Sequence, residues 1–560
     1  MAISYVQHRL NPPQGHARCI PPLMVASSQS QEDHRGQEFI LAFINGHVNE
    51  KHYALYFWSE EAASVTTTSD HTNFFKTETL TPLSPKSVYI PGSAFEYLGG
   101  MTMAIERKVV YVTSTKPISL FGSSYRQESG GTFLAIPVQH LTGHYVLVSR
   151  SAIPAPSEFI IAGTQDNTEV IIILRLVTGS CGSDGHTDGT TITKTINRFD
   201  VIGLTCGGDF TGTVITSDKP VAVFSGNQMA ALPATSPKAD LLMEMMIPVE
   251  TFGSSYIITT TSQSPTGTTH RVVAHLDNTT VTVGGQAQFV LKAGSFQDID
   301  SATTGTQLLY SSKPVLVVMY GTLVVGGLGD VFMAIVPPTH RFFSNPWYDY
   351  TWLLVTSLNI YVTVYYNATA YPGVTFSAPD QIEHIPGSDL AVLSAPALDV
   401  KGSSFGAQVQ HLGMVIYGQK SHDAAYGFLG GMSFAADPCV SVPCLNDGRC
   451  VTDGGSFHCL CGARYTGSTC ETAVVITATR DKTWNIYVTH RNQVSGCSVV
   501  MTTHAATPVD CGVQCNSRED CTDFNMAEQP DILNNCKLLS CTGGYMLSAS
   551  GSYNFHESVI

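Results

Sequence analysis

Thr216-Ser-Asp-Lys-Pro220-Val-Ala-Val-Phe-Ser-Gly226 is the stretch on which the fold turns. Hydroxyl residues lead into Lys-Pro, an apolar run follows, and glycine closes it. Proline fixes φ and donates no hydrogen bond, so it suits the entry of a strand rather than its middle. The β-branched run after it reads as a buried strand. The same pattern stands at Thr113-Ser-Thr-Lys-Pro117-Ile-Ser-Leu-Phe-Gly122 and at Ser311-Ser-Lys-Pro314-Val-Leu-Val-Val318, with proline intervals of 103 and 94 residues. The chain therefore repeats.

Two further motifs share the period. Ile136-Pro137, followed by Gly143-His-Tyr145, returns as Ile247-Pro248 with Gly253-Ser-Ser-Tyr256, 111 residues on, and more loosely at Pro337. Glu158-Phe-Ile-Ile-Ala162 with Asp166-Asn-Thr168 is echoed by Arg271-Val-Val-Ala274 with Asp277-Asn-Thr279, and early by Glu38-Phe-Ile-Leu-Ala42. Asp-Asn-Thr is turn chemistry, because short polar side chains bond their own backbone. Helical periodicity is nearly absent. The array opens in mid-repeat at Glu38 and ends in mid-repeat near Met414-Val-Ile-Tyr-Gly418, as a ring closed by its first and last strands requires. The expected fold is all-β, built of repeated antiparallel units, with a β-propeller as first expectation and tandem β-sandwiches as second.

Composition narrows the function. Only 13% of the 560 residues are charged, against about 25% in ordinary domains. With 43% apolar residues the chain should fold, and a net charge of −15 offers no basic surface for phosphates, so no nucleic acid is expected. No run of 18 apolar residues occurs, so no membrane insertion is expected.

Twelve of the 15 cysteines lie between Cys439 and Cys541, leaving Cys19, Cys181 and Cys206 in the first 438 residues. Such a tail needs disulfide staples and an oxidising compartment, so the expected location is extracellular. Met1-Ala-Ile-Ser-Tyr-Val-Gln-His-Arg9 lacks a signal peptide's apolar stretch. The expectation is a secreted protein seen as a fragment or from a mis-assigned start. Asn278-Thr-Thr and Asn367-Ala-Thr are glycosylation sequons. The loop Asp184-Gly-His-Thr-Asp188-Gly189 lies between Cys181 and Cys206, which reads as a disulfide-closed surface loop.

Three segments resemble known families. Phe210-Thr-Gly-Thr-Val-Ile-Thr-Ser-Asp-Lys-Pro-Val-Ala-Val-Phe-Ser-Gly-Asn227, Pro248-Val-Glu-Thr-Phe-Gly-Ser-Ser-Tyr256 and Glu38-Phe-Ile-Leu-Ala-Phe43 resemble the N-terminal domain of the IgGFc-binding proteins, over about residues 35–435. That resemblance implies a secreted protein of mucus and matrix. The family's cysteine pair after the Ser-Gly-Asn step is replaced here by Met229 and Ala239, so immunoglobulin binding is not carried over. Cys439-x4-Cys444-x5-Cys450-x8-Cys459-x-Cys461-x8-Cys470 resembles an EGF-like domain, with Gly448, Phe457 and Tyr465-Thr-Gly467 in place. Spacing alone permits 15 connectivities; the resemblance implies Cys439–Cys450, Cys444–Cys459 and Cys461–Cys470. Calcium is not expected, since only Asp437 answers the acidic positions before the first cysteine and Thr452 fills the later one.

Cys511-x3-Cys515-x5-Cys521-Thr-Asp-Phe524 with Asn535-Cys536-Lys-Leu538 is similar to an α+β PAN/apple domain. That likeness implies Cys511–Cys536 and Cys515–Cys521, leaving Cys497 with Cys541. Zinc is the rival for so many cysteines, without Cys-x2-Cys pairs to support it. The expected organisation is an N-terminal extension at 1–34, a β head at 35–435, an EGF-like domain at 437–472, and a linker plus PAN/apple-like domain at 473–560.

No nucleophile elbow, zincin motif, P-loop or dinucleotide fingerprint occurs, so neither catalysis nor a cofactor is expected. Ten aromatics fall between Phe342 and Tyr371, and Tyr348, Tyr350 and Trp352 alternate so as to share one strand face, a possible surface for sugar rings or a partner. The leading expectation is a secreted adhesion or recognition protein that binds glycoproteins, glycans or matrix proteins, or self-assembles. The alternative is an extracellular glycan hydrolase with a carboxylate pair in a propeller mouth.

Overall fold

The computed structural model describes residues 32–46, 52–90 and 95–343 apart from short loops. It further describes 359–368, most of 382–396 and 411–435, and scattered strand segments between 444 and 556. Every named element is a β-strand or a short 3-10 turn. Unit one holds β1 (Gly36–Leu41), β2 (His52–Trp58), β3 (Ala63–Ser69), β4 (Phe74–Leu80), β5 (Lys86–Ile90), β6 (Val110–Arg126) and β7 (Ser129–Leu134).

Unit two holds β8 (His144–Val146), β9 (Ser157–Gly163), β10 (Thr168–Ile173), β11 (Thr191–Ile196), β12 (Val201–Cys206), β13 (Val214–Ser217), β14 (Val221–Ala230) and β15 (Asp240–Met245). Unit three holds β16 (Gly253–Ile258), β17 (Thr269–Ala274), β18 (Thr279–Val283), β19 (Gln286–Leu291), β20 (Phe296–Asp300), β21 (Gln307–Val325) and β22 (Leu328–Ile335). Unit four shows β23 (Asn359–Asn367), β24 (Ile382–His384), β25 (Leu390–Pro396), β26 (Leu412–Ser421) and β27 (Ala424–Gly431).

One topology recurs. In unit two the sheets run β11-β10-β13-β8 and β12-β9-β14-β15, with all neighbours antiparallel. In units one and three a single long strand serves both sheets. Up to Ile118, β6 pairs β1 and β3; from Ser119 on, β2 and β7. Up to Val315, β21 pairs β16 and β18; from Val315 on, β17 and β22. Lys-Pro is thus the point where the chain leaves one sheet for the other, which suits a residue that cannot donate to a ladder.

The other motifs converge on that crossing. Tyr145 Oη donates to the carbonyl of Val221 at 2.8 Å, and Tyr256 Oη donates likewise to Val315. Lys219 Nζ donates to the carbonyls of Asp166 and Asn167, and Lys313 Nζ to that of Asp277. Asn167 and Asn278 take positive φ, 53° and 54°, a conformation that asparagine tolerates better than most residues. The ladders set Gly163 opposite Val221 and Ala274 opposite Val315. Arg271 is therefore equivalent to Ile160, one residue off the register that the sequence echo implies.

Burial separates two kinds of sheet. Strands β9, β12 and β15 are buried throughout, whereas β10 and β11 alternate buried with open positions. The first pattern marks a sheet covered on both faces, the second a sheet half in water. The covered sheets point inward, and their last strands meet in cyclic order: β7 touches β15, β15 touches β22, β22 touches β27 and β27 touches β7. First and last units also join directly. Asp33 bridges Ser433, the His34 amide donates to the Met432 carbonyl at 3.0 Å, and the Phe434 amide donates to Glu32 at 2.6 Å.

Candidate functional site

The carboxyls nearest the centre are structural in their bonding. Asp240 accepts from the amides of Gly130 on β7 at 2.6 Å and Ala425 on β27 at 2.8 Å. Glu244, four residues on and so on the same strand face, accepts from Ile335 on β22 at 3.0 Å and Leu429 on β27 at 3.4 Å. Burial holds both carboxyls well above the usual range, and for Asp240 the nearby Asp330 adds to the effect. Asp330 occupies the matching place on β22 and is 3% exposed.

Between units one and two, Glu158 is buried against Gln228 Nε2 and the Asn45 amide, both at 3.0 Å. Burial pushes its carboxyl up to about 8, partly offset by those bonds. Between units two and three, Arg271 grips Asp298 with two bonds, 2.8 and 2.9 Å, and reaches Asp209 at 2.5 Å. Its guanidinium lies 3.8 Å from the Phe296 ring centroid, and Arg150 meets Asp298 at 2.8 Å from the other side. Burial raises Asp298, but Arg271 and Arg150 outweigh it and hold the carboxyl below its ordinary range.

A crevice opens where units one and two meet, about 220 Å³ including its mouth. Ser69 ends β3, while Arg107 and Tyr111 come from the entry to β6 and from β6 itself. Phe199 comes from the turn before β12. The Tyr111 and Phe199 rings stand 5.1 Å apart, with the Arg198 guanidinium over both. Arg107 pairs with Asp70 at 3.0 Å and Asp200 at 3.3 Å, and Tyr111 Oη donates to Glu38 at 2.9 Å. Nothing in the sequence brings Ser69, Arg107, Tyr111 and Phe199 together, because Ser69 lies 38 residues before Arg107 and Phe199 belongs to the next unit.

The residues singled out from sequence are distributed as follows. Tyr348, Tyr350 and Trp352 lie outside the described residues. Asn278 is exposed in its turn; Asn367 ends β23 half-buried. Disulfides join Cys181 to Cys206, Cys444 to Cys459 and Cys461 to Cys470. Cys450 is disulfide-bonded, and Cys439 lies outside the described residues. In the tail, the backbone ladder sets Cys497 opposite Cys541 and Thr502 opposite Cys536. Cys511, Cys515 and Cys521 lie outside the described residues, as does Cys19. No group of three metal-ligating side chains occurs among the described residues, and no helix among them is long and apolar enough to cross a membrane.

With that geometry in place, residues 131–391 match the family described as IgGFc binding protein. Residues 439–469 match the EGF-like domain. The chain thus carries a stretch similar to the IgGFc-binding family, followed by one that matches the EGF-like domain. The matched IgGFc-binding stretch begins inside β7 and ends inside β25, yet the first unit, outside it, has the same topology. The IgGFc-binding protein of Homo sapiens is 22% identical over 450 residues, 76% of this chain and 8% of that protein. Hepatocyte growth factor activator serine proteases of Canis lupus familiaris and Mus musculus are 46% and 48% identical over 48 and 46 residues, each 8% of this chain and 7% of the protease. The chain spans less than a tenth of the length of these curated relatives. A solved structure of a 1.5-MDa bacterial ice-binding adhesin covers 50% of this chain and 87% of that chain at 11% identity, with a TM-score of 0.09 that carries no argument.

Proposed function

We propose that this is a secreted, non-enzymatic recognition protein that binds glycoproteins or glycans of mucus or extracellular matrix. The observation that carries the reading is the order of modules, a stretch similar to the IgGFc-binding family leading into a disulfide-bonded EGF-like domain. In this reading the 35–435 head is a closed four-unit ring of the propeller kind. The cysteines after residue 495 form a third, PAN/apple-like module, and the opposed Cys497 and Cys541 backbones support one of its pairings.

The hydrolase alternative needs two carboxyls that a substrate can reach. Asp240 and Asp330 form the most central acidic pair, but they are 0% and 3% exposed, and the Asp240 carboxylate is tied to amides on three strands. Immunoglobulin is not proposed as the ligand, given 22% identity and the missing cysteine pair.

The test uses the whole chain secreted from cultured cells, passed over immobilised mucus and matrix glycoproteins before and after enzymatic deglycosylation. Retention that falls on deglycosylation is the expected result. No retention on any of the surfaces refutes the reading.

A further inference from the structure

We infer that strand β4 pairs with β4 of a second copy of this chain across a two-fold axis. β4 stands at the end of its sheet. On one side it is bonded to β3 in an unbroken register, from Ala63 opposite Leu80 to Ser69 opposite Phe74. Among the described residues, no backbone hydrogen bond reaches it from the other side. Its outer row of amide and carbonyl groups is therefore a template on which another strand can build. Proline, a bulge or an uncompensated inward charge would blunt such an edge, and Phe74-Phe75-Lys76-Thr77-Glu78-Thr79-Leu80 has neither of the first two.

The charges on this strand fit a second copy of it. Lys76 and Glu78 share the face that carries Thr67 and Val65 on β3, and they bond each other at 3.0 Å, so the edge is neutral. Antiparallel pairing centred on Thr77 sets Thr77 opposite itself, Lys76 opposite Glu78 of the second copy, and Glu78 opposite Lys76 of the second copy. The two ion pairs are related by the axis, as a self-complementary interface requires. Opposite charges directly across a ladder stabilise it, and like charges destabilise it. On the other face the same register sets Phe75, 71% exposed in the single chain, against Thr79 of the second copy. An aromatic against a β-branched residue is a favourable cross-strand pair.

The equivalent edges of the next two units lack this match. β11 and β19 end their sheets as β4 does. β11 carries Lys194 and no carboxylate, so no register compensates its charge. β19 is uncharged, and a bulge between Val281 and Val283 interrupts its ladder with β18. Of these three edges, β4 is the one that complements itself. Strands of this length make about six to eight ladder bonds and a contact below the roughly 1,200 Å² of stable complexes, so association is weak, about micromolar or less tight. The pairing does not rest on the recognition reading above, but it adds to it. Two heads in one particle present every binding surface twice, which raises avidity without a new contact.

Sedimentation velocity of the full chain, from about 1 to about 200 µM, tests this. The expected result is a monomer–dimer equilibrium in the parent chain. It should weaken about tenfold or more in Lys76→Glu, in Glu78→Lys and in Thr77→Asp, each of which sets like charges face to face across the axis. An equimolar mixture of Lys76→Glu and Glu78→Lys should associate as the parent does, because every contact between positions 76 and 78 then joins opposite charges. Thr77 is exposed, so its variant reports even where a charge reversal disturbs folding. The proposal is overturned by a parent that stays monomeric throughout, by Thr77→Asp associating as tightly as the parent, or by a mixture of folded Lys76→Glu and Glu78→Lys that stays monomeric.

Discussion

Replacing Glu158 by glutamine should make the protein more stable at neutral and alkaline pH and change how its stability depends on pH. Burial places this carboxyl near 8 in the folded protein, against a reference value of 4.5. A raised folded value means that between those limits the folded state holds a proton the unfolded state has lost, so stability falls as pH rises through the interval. Each pH unit is worth about 1.4 kcal/mol, which gives a loss of about 3 kcal/mol by pH 7 and about 5 kcal/mol by pH 8, relative to acid conditions.

Glutamine cannot ionise, so the slope from this site vanishes. With its carbonyl oxygen in the Oε2 place it still accepts from both the Asn45 amide and Gln228 Nε2, but the bond that Thr205 Oγ1 donates to Oε1 must reverse, the new NH2 donating to the hydroxyl, at roughly 1 kcal/mol. The two stability curves should therefore cross, with the variant equal or slightly weaker at pH 5 and stronger by several kcal/mol at pH 8. Calorimetric unfolding of the full chain at pH 5, 6, 7 and 8 and constant ionic strength decides it. Parallel curves, or a variant weaker than the parent at pH 8, would refute the reasoning.

Arg271→Met should cost about 3–5 kcal/mol, measured by denaturant unfolding, because Asp209 stays buried without its charged partner. The Cys181→Ala, Cys206→Ala double variant should lose about 3.5 kcal/mol on the loop-entropy relation for a separation of 25 residues, read from the thermal midpoint under oxidising conditions. On the acid side the sign reverses. Burial first of all pushes the imidazoles of His34 and His270 down to about 4 and about 3, so both stay neutral when folded and stability should fall as pH drops below about 6.5, recorded as an acid-unfolding midpoint that moves to lower pH in His34→Gln. Disulfide mapping by mass spectrometry should return Cys497–Cys541, Cys511–Cys536 and Cys515–Cys521; any Cys511 linkage outside the six tail cysteines would exclude the PAN/apple-like module.

The repeat was legible because its punctuation is local. Lys-Pro, Gly-x-Tyr and Asp-Asn-Thr each carry backbone information readable without a partner. Their meeting at one crossing was not, because Tyr145 reaches Val221 over 76 residues and Lys219 reaches Asp166 over 53. The central acids were hidden for the same reason. Asp240-Leu-Leu-Met-Glu244-Met-Met reads as core, and Met243, Met245 and Met246 are indeed buried. What makes the two carboxyls tolerable there is the set of amides 110 and 185 residues away from Asp240, and 91 and 185 away from Glu244. The crevice gave no signal either. Asn-Arg-Phe-Asp would assign the left-handed conformation to asparagine by intrinsic preference, and the structure gives it to Phe199.

Linear repeat proteins depend on capping units, because each end exposes an interface built for a neighbour. Here the ends face each other. Glu32–His34 pairs with Met432–Phe434, and Arg341 donates both to the Ala435 carbonyl and to Glu250 at the start of unit three. Unit four lacks the Lys-Pro crossing and the Asp-Asn-Thr turn, so its own sequence supplies the least of the four toward the common topology. It is held instead by what surrounds it: β7 and β22 flank β27, and Asp240 and Glu244 reach it from unit two. A carboxyl can do this because it accepts from amides of neighbouring strands while it is buried, and that burial, partly offset by the amide bonds, is what raises its protonation range. The few charges of the head thus divide by role. Some, like Asp240, Glu244, Glu158 and Arg271, are inside and join units; others, like Arg107 with Asp70 and Lys116 with Glu61, pair at the surface, where water screens them and they hold little together.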